Sequence, residues 1–180
     1  TCHVPAWLVT LATQRIFLGI SMVLTNNKIL SCLGPKLFTN IGLGRIGPFT
    51  FPIYFMILIA LISYFVLNKT VLGRYIYAVG GNPEASAISG ISVKKITLVS
   101  YIMSGLTAAI GGIVLASMTQ QGMASTGAGY DTEVITAAVI GGVSLVGGAG
   151  TIQGSIVGAM LVGLLNNGMN LMNVPSTNQG

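Results

Sequence analysis

The sequence predicts an all-α protein, a bundle of helices that crosses a membrane several times. Composition is the first reason. Of 180 residues, 52% are hydrophobic and only 6% are charged, whereas about a quarter of the residues in a soluble globular domain are charged. The second reason is that the apolar residues form runs close to the roughly 20 residues that one helical crossing needs. Together these observations exclude an ordinary soluble domain.

Five segments have the composition of membrane helices. They cover residues 4–24, 49–67, 96–118, 134–147 and 151–172. Residues 134–147 are too few to cross a bilayer comfortably, although the segment can extend back to Tyr130. Two alternatives follow for the last two segments: a pair of ordinary spans, or a short re-entrant hairpin.

Arg15 interrupts the first segment near its middle. A lone arginine is costly in lipid, so we expect it to face protein or a water-filled cavity. It is interpreted either as a residue near a transport path or as a structural charge. In the second case, backbone carbonyls satisfy it or it marks the end of a helix.

Small residues recur every four positions in three stripes. One lies in residues 96–118, and the other two share the end of the chain: Ser100, Ser104, Ala108, Gly112 and Ala116; Gly150, Gly154 and Gly158; Ser155, Ala159 and Gly163. Residues four apart lie on one face of a helix, and small ones let another backbone approach closely. We therefore expect these segments to pack inside a bundle.

Counting crossings assigns the connecting segments to two sides. Residues 73–95 and 147–150 share one side, and the polar linkers 25–48 and 119–133 share the other. Four basic residues lie in or just before 73–95: Lys69, Arg74, Lys94 and Lys95. Three lie in 25–48: Lys28, Lys36 and Arg45. The positive-inside rule therefore gives only a slight preference for a cytoplasmic 73–95. The three acids, Glu84, Asp131 and Glu133, are all expected in polar loops.

Residues 73–95 contain the most complete set of helix signals in the chain. Asn82 suits an N-cap, Pro83 the first helical position and Glu84 the first turn, where the helix dipole favours an acid. Gly90 suits a left-handed stop. The predicted helix has about two turns and needs support from its neighbours or a partner. It is either a contact element for another protein or an ordinary loop.

The residues that catalysis needs are missing. No Gly-x-x-x-x-Gly-Lys-Ser/Thr sequence is present, so the chain does not hold ATP through a P-loop. His3 is the only histidine, which leaves no basis for a catalytic triad or a metal site. Cys2 and Cys32 indicate no disulfide framework. Because the basic residues are spread along the chain, nucleic acid is not an expected partner. The chain is interpreted as a non-enzyme without a cofactor of its own.

A neutral polar set lies near the end of the last segment. Asn166, Asn170 and Asn173 fall at helical spacing on one face. Carboxamides both donate and accept hydrogen bonds, which suits a neutral polyhydroxy ligand crossing the membrane. The alternative is helix-end capping and interhelical hydrogen bonding. These asparagines and Arg15 are the candidates for a translocation path.

Three long stretches resemble one family of transport proteins. They are GRYIYAVGGNPEASAISGISVKKI, GAGYDTEVITAAVIGGVSLVGGAGTIQGSIVGAMLVGLLNNGMNLMNV and VPAWLVTLATQRIFLGISMVLTN. All three are similar to the permeases of bacterial ABC sugar importers of the ribose, xylose and galactoside class, the ribose branch above all. Residues 25–48 match least. Branched-chain amino-acid permeases are relatives within the same broad family.

The resemblance implies a multi-pass permease of the plasma (inner) membrane that works as a homodimer. Cytoplasmic ATPase subunits, which bind ATP and magnesium, would drive it, and an extracytoplasmic binding protein would deliver the sugar. Residues 1–180 would be the later half of one permease transmembrane domain, truncated at both ends, with 73–95 as its cytoplasmic coupling loop. The coupling helix that enters the ATPase would comprise Asn82, Pro83, Glu84, Ala85, Ser86, Ala87, Ile88, Ser89 and Gly90.

The implied function is import of a monosaccharide, ribose or a similar pentose. On this interpretation, movement of residues 82–90 rocks the helix around 96–118 between outward-open and inward-open arrangements. One alternative is a permease for autoinducer-2 or another small solute of the same family. Another is an ATP-independent channel subunit, which gives no reason for a capped cytoplasmic helix.

Overall fold

The computed structural model describes residues 6–31 and 36–172. In these ranges the chain consists of helices joined by short connections and two small antiparallel ladders. The helices are α1 Ala6–Thr25, α2 Lys36–Leu43, α3 Phe51–Lys69, α4 Val71–Gly81, α5 Pro83–Ile88, α6 Val93–Thr119, α7 Tyr130–Ile140 and α8 Ile152–Leu171. The strands are β1 Leu30–Ser31, β2 Arg45–Ile46, β3 Phe49–Thr50 and β4 Gln121–Gly122. The predicted all-α membrane fold is confirmed.

Three helices are long and apolar enough to cross a membrane: α1 over Leu8–Thr25, α3, and α6. With 19 residues, α3 is about 28 Å long, close to the thickness of the hydrocarbon core. None of its residues is buried. One face of α3, which includes Ile59 and Ser63, is half-buried, and its other faces are exposed. An apolar helix with so much exposed surface is expected to contact lipid or further helices. The five predicted segments correspond to α1, α3, α6, α7 and α8.

The chain divides into two compact units, of which the first comprises Thr1–Tyr54 and Ala109–Ala128. In this unit β1 pairs with β4, with Leu30 opposite Gly122. This pairing confirms that the linkers 25–48 and 119–133 lie on one side. The interpretation of 25–48 as a plain polar linker is wrong, however, because it contains α2 and the strand β2, which pairs with β3.

The buried centre of the first unit is Ser117, near the end of α6. Its hydroxyl donates a hydrogen bond to the backbone carbonyl of Phe38 in α2. Gly42 of α2 packs against the backbone of α6 beside Ser117, since a Cβ on Gly42 would lie 2.5 Å from the backbone N of Met118. A small residue at Gly42 therefore lets α2 rest directly on the backbone of α6.

The second unit comprises Phe55–Ala108 and Gly129–Gly180. It contains a helix, α4, that the sequence analysis did not anticipate. Thr70 caps α4 by accepting a 3.3 Å hydrogen bond from the backbone N of Gly73. Gly73 is buried against the backbone of Leu67 in α3. The chain therefore turns sharply from α3 into α4, which ends with Gly80 and Gly81.

In the same unit, α7 and α8 form an antiparallel pair with direct backbone contact. A Cβ on Gly141 would lie 2.8 Å from the N of Ser155, and a Cβ on Gly158 would lie 2.8 Å from the N of Gly141. Real Cβ atoms do not approach this closely. The stripe that contains Gly154 and Gly158 therefore packs as predicted. We call this contact the α7–α8 seam.

The expectation that Asp131 and Glu133 lie in a polar loop is wrong, because both lie in the first turn of α7. Glu84 lies in the first turn of α5 within the connecting segment 73–95, as the helix signals there predicted. The physical reason is the attraction of acids to the positive end of the helix dipole. The helix α7 begins at Tyr130, the residue to which the predicted segment 134–147 can extend back, and the left-handed Gly129, with a φ of 91°, precedes it.

Candidate functional site

The predicted two-turn helix is present as α5. Asn82 accepts a 3.0 Å hydrogen bond at Oδ1 from the backbone N of Ala85, Pro83 occupies the first helical position, and Glu84 lies in the first turn. Ser89 follows the helix, and Gly90 has a φ of 84°. The local structure predicted for 82–90 is confirmed, and its use as a contact for an ATPase stays a prediction.

The residues of α5 differ in exposure. Ser86 is 5% exposed, whereas the Ile88 side chain is 89% exposed. Glu84 is exposed as well, as are Ala85 and Ala87. An isoleucine that exposed loses hydrophobic free energy, which burial against another surface would recover. The exposed side of the short helix α5 thus presents an apolar side chain, Ile88, one turn from an acidic one, Glu84.

The asparagines predicted for a translocation path lie along the second half of α8. Asn166 is half-buried and Asn170 is exposed, while Asn173 lies outside the described residues. Asn166 lines a cavity of about 170 Å³ at the end of the α7–α8 seam. The cavity is lined by residues of α7 and α8 only.

Glu133 lines the same cavity and was not among the predicted site residues. It lies one turn before the buried Ala137, on the side of α7 that faces α8. The spacing of Glu133, Ala137 and Gly141, each four residues apart, would have placed Glu133 on the same helix face as the seam. This was missed because Glu133 was assigned to a loop. The structure thus combines a carboxylate and a carboxamide, both able to accept hydrogen bonds from hydroxyl groups.

Arg15 belongs to the first unit and does not line this cavity. It is exposed in the middle of α1, which runs without a break from Ala6 to Thr25. The reading that Arg15 marks a helix end is therefore wrong. The alternatives of a path residue and a structural charge stay open.

In the described part of the chain, no three His, Cys, Asp or Glu side chains come together as a metal site. The larger cavities are apolar. One of about 470 Å³ lies between α3 and α8 and is lined partly by Ser155 and Ala159 of the third small-residue stripe. Ser155 and Ala159 therefore face this cavity, whereas Gly154 and Gly158 form the seam and Gly163 lines the cavity at its end.

The chain is similar to known permeases along almost its full length. It is 38% identical over 177 residues to a ribose import permease protein of Escherichia coli, covering 97% of this chain and 55% of that protein. It is 36% identical over 176 residues to the ribose import permease protein of Haemophilus influenzae, covering 96% and 54%. An L-arabinose transport system permease protein of Escherichia coli is 36% identical over 171 residues, covering 95% and 52%.

The chain thus spans about half the length of the curated relatives it matches. No solved structure matches it. The family model for the permease component of branched-chain amino acid transport systems matches residues 4–179. The predicted resemblance to permeases is confirmed, and the chain belongs to this family of membrane transport permeases.

Proposed function

We propose that the chain is part of the membrane-spanning subunit of an ATP-driven importer for a monosaccharide, ribose or a similar pentose. The observation that carries the proposal is the similarity to ribose import permeases over 97% of the chain. The apolar helices α1, α3 and α6 supply membrane-crossing segments. The protein acts in the plasma membrane.

A separate ATPase subunit, bound to magnesium and ATP, supplies the energy. The support for this partner is α5, because a helix of six residues is too short to be stable alone. Its cap at Asn82 and the exposed Ile88 suit insertion into a groove of a cytoplasmic partner. The functional unit also includes a second permease copy and an extracytoplasmic sugar-binding protein.

The sugar passes the end of the α7–α8 seam, where Glu133 and Asn166 line one cavity. A sugar is neutral and carries several hydroxyl groups, which donate well to a carboxylate and pair in both directions with a carboxamide. Asn170 continues the polar face one turn further along α8. Because only α7 and α8 line the cavity, the two side chains form only part of the surroundings of the sugar.

Uptake into proteoliposomes tests the proposed function. The full-length protein is reconstituted with its ATPase and binding protein, and radiolabelled ribose, arabinose and xylose are offered with or without ATP. We expect uptake of at least one pentose that stops when ATP is omitted. Uptake that is equal without ATP would support a channel instead, and uptake of autoinducer-2 without any pentose would support the alternative substrate.

A substitution on α5 tests the coupling role. Ile88→Asp places a charge where an apolar contact is proposed, so we expect binding of the ATPase and sugar-dependent ATP hydrolysis to fall about tenfold or more. Ile29→Asp is the matched control, since Ile29 is an isoleucine 57% exposed in the connection after α1. Normal ATPase binding by the Ile88 variant would show that α5 is not the contact with the ATPase and is only part of an ordinary connection between helices.

A further inference from the structure

The helices α4 and α5 are joined so tightly that they move together. Asn82 alone separates them: its backbone N–H donates to Ala78 of α4, and its side chain caps α5. The backbone N of Ser86 donates a 3.1 Å hydrogen bond to the carbonyl of Asn82, and Ser86 is buried. A force on α5 therefore reaches α4 without a flexible linker in between.

The end of α4 that is next to α5 touches the turn between α7 and α8 through backbone atoms. A Cβ on Gly80 would lie 2.6 Å from the N of Gly148, and a Cβ on Gly148 would lie 2.6 Å from the N of Gly81. No side chain other than hydrogen fits at these positions unless the two backbones separate. This contact also confirms that residues 73–95 and 147–150 share one side.

A hydrogen bond reinforces the contact. The Tyr77 hydroxyl of α4 donates to the backbone carbonyl of Gly150 at 2.9 Å, across 73 residues of sequence. We call the contact of Gly80 with Gly148, together with this hydrogen bond, the α4–turn junction. Because Gly150 is followed directly by Thr151, the N-cap of α8, the junction acts on the first residues of that helix.

The turn itself is stiff. The backbone N of Ser144 donates to the carbonyl of Ala149 at 2.9 Å, and the N of Gly147 donates to the carbonyl of Ser144 at 3.2 Å. Gly147 and Gly148 have φ values of 107° and 72°, which other residues adopt only with strain. A displacement at the turn therefore passes on to α7 and α8, which the seam holds together.

The route from α4 to α6 is less direct. A cavity of about 350 Å³ separates α4 from α6 and is lined by Val79 and Gly80 on one side and Ser100 and Ser104 on the other. Packed interiors transmit displacement because they are dense, whereas open space absorbs it. Through α4, the direct backbone contact is therefore with the turn between α7 and α8, whereas α6 is joined to α5 separately, through residues 89–92.

We propose that the α4–turn junction transmits the displacement of α5 to the α7–α8 pair, with Tyr77 as a positioning residue that keeps the junction closed. The inference rests on the proposed function, since it takes α5 as the contact with the ATPase. The movement then reaches the end of the seam that carries Glu133 and Asn166. In the importer, α7 and α8 then move together as one rigid unit when α4 is displaced.

The test measures sugar molecules imported per ATP hydrolysed by the reconstituted full-length complex. Tyr77→Phe removes one hydroxyl, and its matched control is Tyr75→Phe, an exposed tyrosine of the same helix. Gly80→Ala pushes the two backbones apart, and its control is Gly105→Ala in α6, where a Cβ meets no atom within 4 Å. We expect the ratio to fall about fivefold for Gly80→Ala and about twofold for Tyr77→Phe, with both controls unchanged.

The ratio separates coupling from general damage, because loss of folded complex lowers uptake and ATP hydrolysis together. A wild-type ratio in both junction variants would overturn the inference. If Gly80→Ala does not assemble, the comparison of Tyr77→Phe with Tyr75→Phe decides alone. If the unchanged complex imports no sugar with ATP, the proposed function fails, an outcome distinct from a failure of the junction.

Discussion

The α7–α8 seam and the middle of α6 share one sequence pattern but differ in packing. In the seam, Gly141, Gly154 and Gly158 bring two backbones into contact. In α6, the stripe from Ser100 to Ala116 contains the exposed residues Ser104, Ala108 and Gly112. A Cβ on Gly112 would meet no atom within 4 Å outside its own helix backbone. A small-residue stripe therefore permits close packing without selecting the partner.

Chain connectivity explains the difference. The residues between Ile140 and Ile152 form a stiff turn, so α7 and α8 are antiparallel neighbours that have to meet. Short connections generally place consecutive helices side by side. Within the described residues, a Cβ on Gly105, Gly111 or Gly112 in the middle of α6 would meet no atom within 4 Å outside its own helix backbone.

The largest predicted effect is in the seam. Gly158→Val forces the backbones apart, because even a Cβ would lie 2.8 Å from the N of Gly141. We expect a loss of about 3 kcal/mol in the free energy of unfolding, or failure to fold. The measurement is the SDS concentration that unfolds the full-length protein in mixed micelles.

The control for this prediction is Gly163→Val in the same helix, where a Cβ meets nothing within 4 Å. It should change stability by less than about 1 kcal/mol, because valine has a higher helix propensity than glycine and the Cβ meets no atom there. Equal losses at both positions would show that the seam is no tighter than the cavity at its end, which Gly163 lines.

The next effect concerns the end of α6, where that helix does find a partner. Ser117→Ala removes the buried hydroxyl that donates a hydrogen bond to the carbonyl of Phe38 and joins α6 to α2. We expect a loss of about 1–3 kcal/mol. The control is Ser104→Ala in the exposed part of the same stripe, which should change stability by less than about 0.5 kcal/mol. The same unfolding assay checks both, and a neutral Ser117 variant would contradict the contact.

A smaller effect is expected at the start of α8. Thr151 caps this helix by accepting a 3.1 Å hydrogen bond from the N of Gly154, so Thr151→Ala should cost about 1 kcal/mol. Thr107 of α6 instead donates to the carbonyl of Met103, one turn back. Thr107→Ala should therefore be neutral or slightly stabilising. Thermal denaturation in detergent distinguishes the two, and an equal loss at both positions would refute the cap.

The smallest effect has the opposite sign. Gly112→Ala meets no clash and removes a flexible residue from a helix interior, so it should stabilise the protein by up to about 1 kcal/mol. The measurement is again the unfolding midpoint in mixed micelles. A clear destabilisation in the full-length protein would reveal a partner backbone packed on the middle of α6, which would sharpen the comparison with the seam.

Apolar runs and helix signals predicted much of this structure. The lengths of the runs gave α1, α3 and α6, and Asn82, Pro83 and Gly90 defined α5 by local chemistry alone. Prediction failed for α4, because its first residues follow the apolar α3 without a turn signal except the cap Thr70.

The candidate site could be predicted only in part. Helical spacing was enough to place Asn166 on a polar face. The position of Glu133 could be predicted only if the start of α7 was known, and that start depends on the left-handed Gly129. The α4–turn junction joins Gly80 with Gly148, positions distant in sequence. Such contacts come from tertiary packing, and a local pattern does not contain them.

The lengths of α7 and α8 have an electrostatic consequence. With 11 and 20 residues, they are about 16 Å and 30 Å long. Because Gly141 lies beside Gly158 and Glu133 beside Val162, the first turn of α7 stands near the middle of α8. The positive end of the α7 dipole therefore lies beside the middle of α8 rather than at one of its ends. Asp131 and Glu133, in the first turn of α7, place their negative charges at this positive end, so that dipole and carboxylates oppose each other in one place.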